Sequence, residues 1–600
     1  MFKSRAWRAG WGGLIVTGLI LSAGVAFAQA AAGSQPPTES PVQRAATGQS
    51  REQVNPSGQV EAARHQRPND VFSGPAKEVC QLSDDPSLGF DFHQGKIEDN
   101  AKVLSEHDKQ TAWADALGKR ITPRELCDIR DRLALRLFRR GVLARVIIPP
   151  QTITDGSVTF RVIAAKIVSV RYEGEGIGPA QAKVEAFLNH LRHSDTFQLD
   201  QAQRWLLLVN DIPGIQAQAK IVHSTAPGAP AEGLDLVVTL RKTTLDEVAE
   251  ISNTNSKILG PWSGIARVDF NSLTPLGERT SLIAYTTLGN NRQQVAQLME
   301  SARIGDSGLF AEASFAYGHS NPGDTLKQLK LDGSSFSGTF ELDYPLVRLQ
   351  RQTVVVSSGM DFINQSTVFP GGQPLADDTL RVAWVRTDAS AAAIDRQAGN
   401  DLFTAQADMS VEGRKGLEVL GASQAGAQSL SRTQGRADAW VVRGEAHALL
   451  RVEPLDGKFF PFTVSGHFMG QWADRPLLAY EEEAIGNLTI GRGYDPSAAS
   501  GDRVAAGEFK IEVGPVTFAK RLKITPYAFY DVAKVTNLDP GSQDVTLRSV
   551  GGGLQFRLPY DSKGDSIRVD FGYAQPLDKS FAGEMSKPPG RWLLQVIVTH

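Results

Sequence analysis

Residues 567–573 read Ile-Arg-Val-Asp-Phe-Gly-Tyr, with an apolar side chain at every second position. Successive side chains of a β-strand point to opposite faces of its sheet, so this stretch predicts a strand with one apolar and one polar face. Residues 340–344 and 509–513 show the same alternation. A sheet built from such strands has one apolar face and one polar or charged face.

The alternating region is long. Helical periodicity largely disappears after Thr243, and strand-like patterns continue to residue 600. A soluble β-sandwich would also alternate, but this length exceeds what one sandwich usually holds. A barrel with lipid outside and water inside explains the alternation better than a soluble sandwich does. At about 22 residues per strand and connection, residues 243–600 accommodate roughly 16 strands of a transmembrane antiparallel β-barrel.

The N-terminal segment indicates the compartment. Basic residues precede an apolar run over 14–27, which ends in small-residue cleavage candidates at 26–28 and 28–30. This pattern predicts a secretory signal peptide over 1–30, whereas the alternative, a membrane anchor, needs a longer apolar run. No later stretch approaches the roughly 20 consecutive apolar residues of a transmembrane helix, so membrane residence must be as a barrel. The basic residues are Lys3, Arg5 and Arg8.

The net charge and the cysteine content limit which partners and cofactors we expect. The net charge of -3 argues against a nucleic-acid binder, which would show a basic excess. Two cysteines, Cys80 and Cys127, are compatible with one disulfide in an oxidising periplasm. The alternatives are two free thiols or half of a metal site, and no nearby Cys/His pattern has zinc-like spacing. We therefore expect no metal and no cofactor.

Residues 31–76 are rich in Gln, Pro, Ser, Ala and Gly, and they contain few large apolar residues. Such a segment cannot bury enough surface to fold alone, so a linker is predicted. A weak helical pattern over 42–54 leaves open a plug helix.

A first α+β unit is predicted over 77–165. Thr122, Pro123 and Glu125 form the capping-box signal of a helix that ends before Gly141. Strand-like runs follow at 143–148 and 157–163. The apolar stripe of the helix consists of Leu126, Ile129, Leu133 and Leu137, and Arg130, Arg132, Arg136 and Arg139 are expected to be solvated.

The same order repeats over 166–242. We predict a strand at 166–173, helices at 180–191 and 199–209, and strands at 217–223 and 234–240. Two successive β-α-α-β-β units therefore precede the barrel.

Three local patterns suggest chemistry but favour simpler interpretations. Residues 174–178 contain three glycines, yet they lack the full spacing of a dinucleotide-binding loop, so a turn is predicted. Residues 305–308, Gly-Asp-Ser-Gly, resemble the surroundings of a protease nucleophile but lie between two alternating strands, which predicts a hairpin turn. The glutamates at 481–483 predict a solvated loop without a metal.

The segment Gly491-Arg492-Gly493-Tyr494 is the most informative motif. An arginine in a glycine-flanked loop needs a partner if it points into a barrel lumen. Over 524–535, alternation puts Tyr527, Phe529, Asp531 and Ala533 on one face of a strand. Asp531 is therefore a candidate partner for Arg492.

These two motifs resemble a known pair. The Arg-Gly-Tyr at 492–494 resembles the tip of the lumen loop in the Omp85 superfamily, and 529–531 resembles the Phe-x-Asp-x-Gly strand motif that this loop touches. The two preceding units look like polypeptide-transport-associated (POTRA) domains. The layout is similar to the haemolysin secretion/activation family of two-partner secretion transporters. Two departures are Ala533, at the usual glycine of the strand motif, and His600, at the usual C-terminal aromatic.

The resemblance implies a function and its partners. Arg492 pairs with Asp531 and holds a loop around 485–507 inside the barrel. The periplasmic domains capture an unfolded, extended exoprotein of the haemolysin or adhesin type, β-helical once folded, which is then exported. Activation of the partner during export is left open. The barrel sits among outer-membrane lipids and is inserted by the barrel-assembly machinery. Alternatives are a protein-assembly insertase of the same superfamily, which usually carries more than two periplasmic repeats, and a passive porin. A secreted hydrolase is the most distant alternative, and no enzyme activity is expected.

Overall fold

The computed structural model describes the chain from Ala46 to His600 with gaps, and its element bounds are given below. The described ranges are 46–61, 80, 82–99, 112–139, 144–164, 166–174, 176–192, 199–224, 227–228, 233–396, 401–454, 460–518, 521–560, 565–579 and 586–600. The predicted signal peptide and most of the predicted linker lie outside these residues. The described chain begins with two helical residues at 46–47, and two short helices follow, α1 (Arg51–Val54) and α2 (Ser57–Glu61).

A first α+β unit follows the two short helices. β2 (Gln94–Asp99), β5 (Ser157–Ala164) and β4 (Ala144–Ile147) form a sheet in that order, with β2 parallel and β4 antiparallel to β5. β1 (Phe90–Asp91) and β3 (Arg120–Ile121) form a separate small pair.

The helix α3 (Glu125–Arg139) packs its predicted stripe, Leu126, Ile129, Leu133 and Leu137, into the core of this unit. The Glu125 carboxylate accepts a hydrogen bond from the Thr122 N–H at 2.7 Å, which is half of the predicted capping box. One expectation was wrong: Arg130 is buried, because it lies beside the apolar stripe and pairs with Asp131 at 2.8 Å.

The second unit contains all five predicted elements. They are β6 (Lys166–Gly174), α4 (Gln181–Arg192), α5 (Leu199–Asn210), β7 (Ile215–His223) and β8 (Gly233–Lys242). The sheet order is β6-β8-β7, with β6 parallel and β7 antiparallel to β8. Both helices cover one face of this sheet through a continuous apolar core that includes Phe187 and Leu206. None of the helices in the described part of the chain is both long and apolar enough to cross a bilayer.

The region after Lys242 forms a closed antiparallel barrel of sixteen strands within the described residues. The wall strands are β9 (Leu245–Ser252), β10 (Ser263–Asn271), β11 (Arg279–Thr287), β12 (Gln293–Ile304), β13 (Leu309–Ser320), β14 (Asp332–Arg348), β15 (Gln352–Val368), β16 (Pro374–Arg396), β17 (Asp401–Gly416), β18 (Trp440–Pro454), β19 (Phe462–Ala473), β22 (Arg503–Val513) continued by β23 (Val516–Phe518), β24 (Leu522–Thr536), β25 (Val545–Pro559), β26 (Ser566–Pro576) and β27 (Arg591–Thr599). β27 pairs with β9 and closes the wall. The predicted barrel and its strand number are confirmed.

The two faces of the wall differ as the alternation predicts. Phe340, Phe509 and Phe571 are exposed on the outside. On β24 the exposed Tyr530 lies between two buried residues, Phe529 and Asp531, which face the lumen. An apolar outer band and a polar interior are what a barrel in an outer membrane requires.

The second unit docks on one rim of the barrel. Arg348, at the end of β14, forms a two-pronged ion pair with Asp211, with distances of 2.8 and 3.0 Å. The turn at 305–308 connects β12 to β13, as predicted, and its Asp306 lies 3.3 Å from His190 of α4. This rim is therefore the one that faces the N-terminal units.

Candidate functional site

A long loop occupies the barrel lumen. Residues 474–502 leave the wall between β19 and β22, at the rim opposite the second unit. Within this lumen loop, β20 (Glu483–Ile485) and β21 (Ala499–Gly501) form a short antiparallel hairpin. Apolar residues of the loop pack against inward-facing wall residues in one buried cluster, which includes Ile490, Tyr494, Val504 and Leu547.

The bounds of the lumen loop differ from the predicted range 485–507. Residues 504–507 already pair with β19 in the barrel wall. The sequence could not show this strand start, because the small residues Ala505, Ala506 and Gly507 give little contrast between two faces.

Arg492 joins the tip of the lumen loop to β24. Its Nη2 donates to Asp531 Oδ1 at 2.6 Å, and its backbone N–H donates to Asp531 Oδ2 at 2.9 Å. The Glu508 carboxylate lies 3.0 Å from the same Nη2. The guanidinium also stacks on Phe529, 3.5 Å from the ring centroid. Two carboxylates and an aromatic face fix the orientation of this cation.

The residues that flank Arg492 hold the tip close to the wall. The Tyr494 hydroxyl donates to the carbonyl oxygens of Arg548 and Asp578, at 2.9 and 3.1 Å. A Cβ on Gly493 would lie 2.8 Å from the Cβ of Ser549, so a larger residue would displace the loop. Gly491 has a φ of +118°, a conformation that side chains disfavour. All four motif residues therefore contribute to one contact with the wall.

Ala533 lies on the lumen face of β24, two residues beyond Asp531. It is 1% exposed and belongs to the apolar cluster that includes Ile490 and Tyr494 of the loop. The loop therefore approaches β24 closely, although Ala533 carries a methyl group at the position where the strand motif usually has glycine.

The three glutamates at 481–483 were wrongly predicted to be solvated. All three are buried, with 3 to 4% of their surface exposed. Glu481 accepts hydrogen bonds from Arg414 at 2.8 and 3.1 Å, and Glu482 lies 2.8 Å from Arg432. The sequence did not show these partners because they come from other segments of the barrel. Buried carboxylates require such partners.

The third glutamate connects the lumen loop to the N-terminal helices. Arg51 of α1 donates to the Glu483 carboxylate at 3.1 Å. Residues 46–61, the lumen segment, also bond to the wall: the amide nitrogens of Gln293 and Gln365 donate to backbone carbonyls of Gln53 and Gln49 at 3.0 and 2.9 Å. Within the weak pattern over 42–54, residues 46–47 and 51–54 are helical among the described residues.

The carboxylates and guanidinium groups around 481–483 stabilise one another in their charged forms. Burial by itself would raise the pKa of Glu481, but the guanidinium groups of Arg414 and Arg443 outweigh it and bring this pKa to about 2. Glu481 is therefore ionised at neutral pH, and the loop base carries a fixed negative charge between arginines.

Cys80 and Cys127 form a disulfide with an S–S distance of 2.00 Å. Cys127 lies on the buried side of α3, and Cys80 lies near the N-terminal end of the first unit. The bond therefore ties the start of this unit to its helix.

This chain is similar to known proteins over most of its length. The model of the family described as haemolysin secretion/activation protein ShlB/FhaC/HecB matches residues 235–557. The model of the ShlB-type POTRA domain matches residues 93–165. A curated relative, the heme/hemopexin transporter protein HuxB of Haemophilus influenzae strain 86-028NP, is 22% identical over 538 residues, which cover 85% of this chain and 88% of the relative.

Solved structures share the fold. CdiB from Escherichia coli superposes with a TM-score of 0.60 at 13% identity, covering 90% of this chain and 95% of that one. CdiB from Acinetobacter baumannii gives 0.59 at 14% identity, covering 94% and 100%. BamA from Haemophilus ducreyi, without its first three POTRA domains, gives 0.51 at 12% identity, covering 85% and 100%.

Proposed function

The chain belongs to the haemolysin secretion/activation family ShlB/FhaC/HecB, and we propose that it threads one extended partner exoprotein through the lumen of its barrel. It is an outer-membrane transporter of two-partner secretion, with its POTRA region in the periplasm. The route, the manner of capture and the roles of single residues are our proposals, as is activation of the partner during export.

We propose that the N-terminal units are two POTRA domains, over 77–165 and 166–242, that precede a barrel over 243–600. The repeated combination of a mixed three-stranded sheet with helices supports this division. Each sheet also has two edge strands, β2 and β4 in the first and β6 and β7 in the second. An extended chain can add to such an edge through backbone hydrogen bonds that require no particular sequence.

The second step is passage through the lumen, which two elements obstruct. The lumen loop is anchored by an apolar cluster and by the Arg492 contacts. The lumen segment 46–61 has fewer buried apolar side chains, chiefly Val54 and Val60, and otherwise bonds to the wall through polar groups. Its polar contacts to the water-lined wall are exchanged for water at low cost, and the buried Arg51–Glu483 pair is the exception. The lumen segment is therefore the element that moves aside for the partner.

The lumen loop has the opposite role in this proposal. The Arg492–Asp531 pair locks its tip against β24 and so preserves a defined opening after the segment has moved. The observation that carries the proposal is that the second N-terminal unit, whose sheet has two edge strands, docks on one rim of a polar, loop-bearing lumen.

Deletion of residues 77–242 tests the role of the N-terminal units. Cells would express the partner protein with either the intact chain or the deletion, and the partner would be measured in the medium and in the periplasm. We expect loss of the partner from the medium, while heat-modifiable mobility in gels shows a folded barrel. Undiminished export by the deletion would refute capture by these units. Impaired insertion of other barrels, with export intact, would favour an insertase.

Arg124→Ala is a suitable control for changes in the same region. Arg124 and Asp84 form an exposed ion pair at 3.8 Å on the first unit, outside its edge strands, and such pairs contribute only about 0 to 1 kcal/mol. This variant should export the partner at the level of the intact chain.

A further inference from the structure

Three side chains on the inner wall of the barrel converge on one point. Nε2 of His467 lies 2.8 Å from Glu445 Oε1, and Nε2 of His447 lies 3.1 Å from the same oxygen. The two imidazole rings stack with centroids 4.0 Å apart and an interplanar angle of 17°. Neither the lumen loop nor the lumen segment contributes to this group.

The wall topology accounts for the convergence. His447 on β18 and His467 on β19 are direct cross-strand partners in the register. Glu445 precedes His447 by two residues, so it projects from the same face of the strand. Arg443 precedes Glu445 by another two residues and so projects from the same face. Its guanidinium donates to the Glu481 carboxylate in the lumen, which places Arg443, Glu445 and His447 on the inner wall. Backbone pairing therefore holds the three side chains together without help from a loop.

The donor set and its spacing fit a metal ion. In the described residues, these three form a group whose candidate ligand atoms all lie within 4.8 Å of one another. Two imidazole nitrogens and one carboxylate oxygen, each about 2.0 to 2.2 Å from one ion, would lie roughly 3 Å or slightly more apart. The two nitrogen-to-oxygen distances already have this size.

We propose that Glu445, His447 and His467 bind a divalent transition-metal ion, with Zn²⁺ as the best match, on the inner wall of the barrel. Imidazole ligands favour zinc, copper and nickel over magnesium or calcium, which prefer all-oxygen sites. Three protein ligands leave one tetrahedral position for water or for a group of a passing chain. The ion would link β18 to β19 in addition to their backbone hydrogen bonds.

The surroundings of the three residues favour a cation and leave it accessible. Asp388 and Asp408 line a cavity together with Glu445 and His447. Two further carboxylates near the site lower the energy of a positive ion. The side chains of Glu445 and His447 are each 51% exposed, so an ion can enter from the water of the lumen.

Equilibrium dialysis of the purified full chain against ZnCl₂, without a polyhistidine tag, tests this site. We expect saturable binding of about one Zn²⁺ per chain at neutral pH, lost in the double variant His447→Gln/His467→Gln. Glu445→Gln should weaken binding at least about tenfold. The control is His319→Gln, because His319 lies beside one carboxylate, Asp332, at 3.4 Å, in a barrel position away from the site. Its zinc binding should equal that of the intact chain.

A spectroscopic measurement identifies the ligand atoms directly. Cu²⁺ bound at the site should show electron paramagnetic resonance couplings to two imidazole nitrogens, and these should disappear in the double variant. Heat-modifiable gel mobility would establish that each variant is folded. Absence of saturable Zn²⁺ binding by the intact chain, or equal binding by the folded double variant, would overturn the proposal.

Discussion

Arg51 and Glu483 are 432 residues apart in the sequence, yet the Arg51 guanidinium donates to the Glu483 carboxylate inside the barrel. Arg51 belongs to the lumen segment and Glu483 to the base of the lumen loop. The two obstructions of the lumen are thus in direct contact. A change in one can therefore alter the position of the other.

Arg51→Ala should loosen the lumen segment. It leaves Glu483 without its shortest ion pair, and removal of one partner from a buried pair typically costs about 3 to 5 kcal/mol, less where water enters. We expect a higher and more variable ion conductance of the purified protein in planar bilayers. Gln59→Ala is the control, because Gln59 bonds to the Glu52 carbonyl within the same segment. Equal conductance in both variants would contradict the role of Arg51.

Arg492→Ala should impair secretion more than barrel assembly. The substitution leaves Asp531, which is 1% exposed, without the guanidinium that binds it. A buried unpaired carboxylate costs about 3 to 5 kcal/mol, and water in the lumen reduces this figure. The measurements are the amount of partner in the medium and the fraction of folded barrel in the membrane.

The control for Arg492 is Lys534→Ala. Lys534 lies on the same strand as Asp531 and forms a short ion pair with Asp544, at 2.8 Å, but its side chain is 45% exposed. Loss of that pair should change secretion little, since exposed pairs contribute about 0 to 1 kcal/mol. Secretion by Arg492→Ala at the level of this control would speak against a lock at the loop tip.

Ala533→Gly would restore the residue usual in the strand motif, and it should destabilise this chain slightly. The Ala533 methyl is buried in the cluster that contains Tyr494 and Ile490. Loss of one buried methyl and the added backbone freedom of glycine each cost about 0.5 to 1 kcal/mol. We expect a small decrease in the temperature at which the barrel unfolds in gels, with secretion retained. A gain in stability would show that the methyl strains the contact.

Neither Cys80 nor Cys127 should react as a free thiol in protein that has been exposed to the periplasm. Labelling of the denatured, unreduced chain with a polyethylene-glycol maleimide should give no shift, whereas reduction should expose both thiols. The chain between them spans 47 residues, and closing such a loop stabilises the fold by about 4 kcal/mol in the chain-entropy description. Cys80→Ser/Cys127→Ser should therefore be cut faster by protease within the first unit. Equal cleavage would contradict a stabilising bond.

Local sequence patterns predicted the regular parts of this fold well. The alternation at 509–513 gave a wall strand, because lipid and water impose opposite requirements on the two faces. The stripe on α3 gave a buried helix face for a similar reason. The strand start at Arg503 was missed, since small residues meet both requirements.

The charged groups inside the barrel were the hardest to predict. Glu481 and Glu483 resemble solvated residues in the sequence, and their arginine partners come from β17 and α1. His447 and His467 likewise meet only through the register of two strands. Such contacts depend on strand order and loop direction, which no local pattern contains. The Arg492 motif was an exception because its residues resemble a known pair, and its role stays a prediction.

Photo-crosslinking across adjacent positions of β19 tests the conduit most directly. Met469 lines the lumen cavity, and the neighbouring Phe468 is exposed on the outer face. A photoreactive residue would replace each in turn, and the partner would be stalled during export by a stably folded domain fused to its C-terminus. The account predicts crosslinks to the stalled partner from position 469 and none from 468. Crosslinks from 468 alone, or from neither position while the partner is stalled, would contradict passage through the lumen.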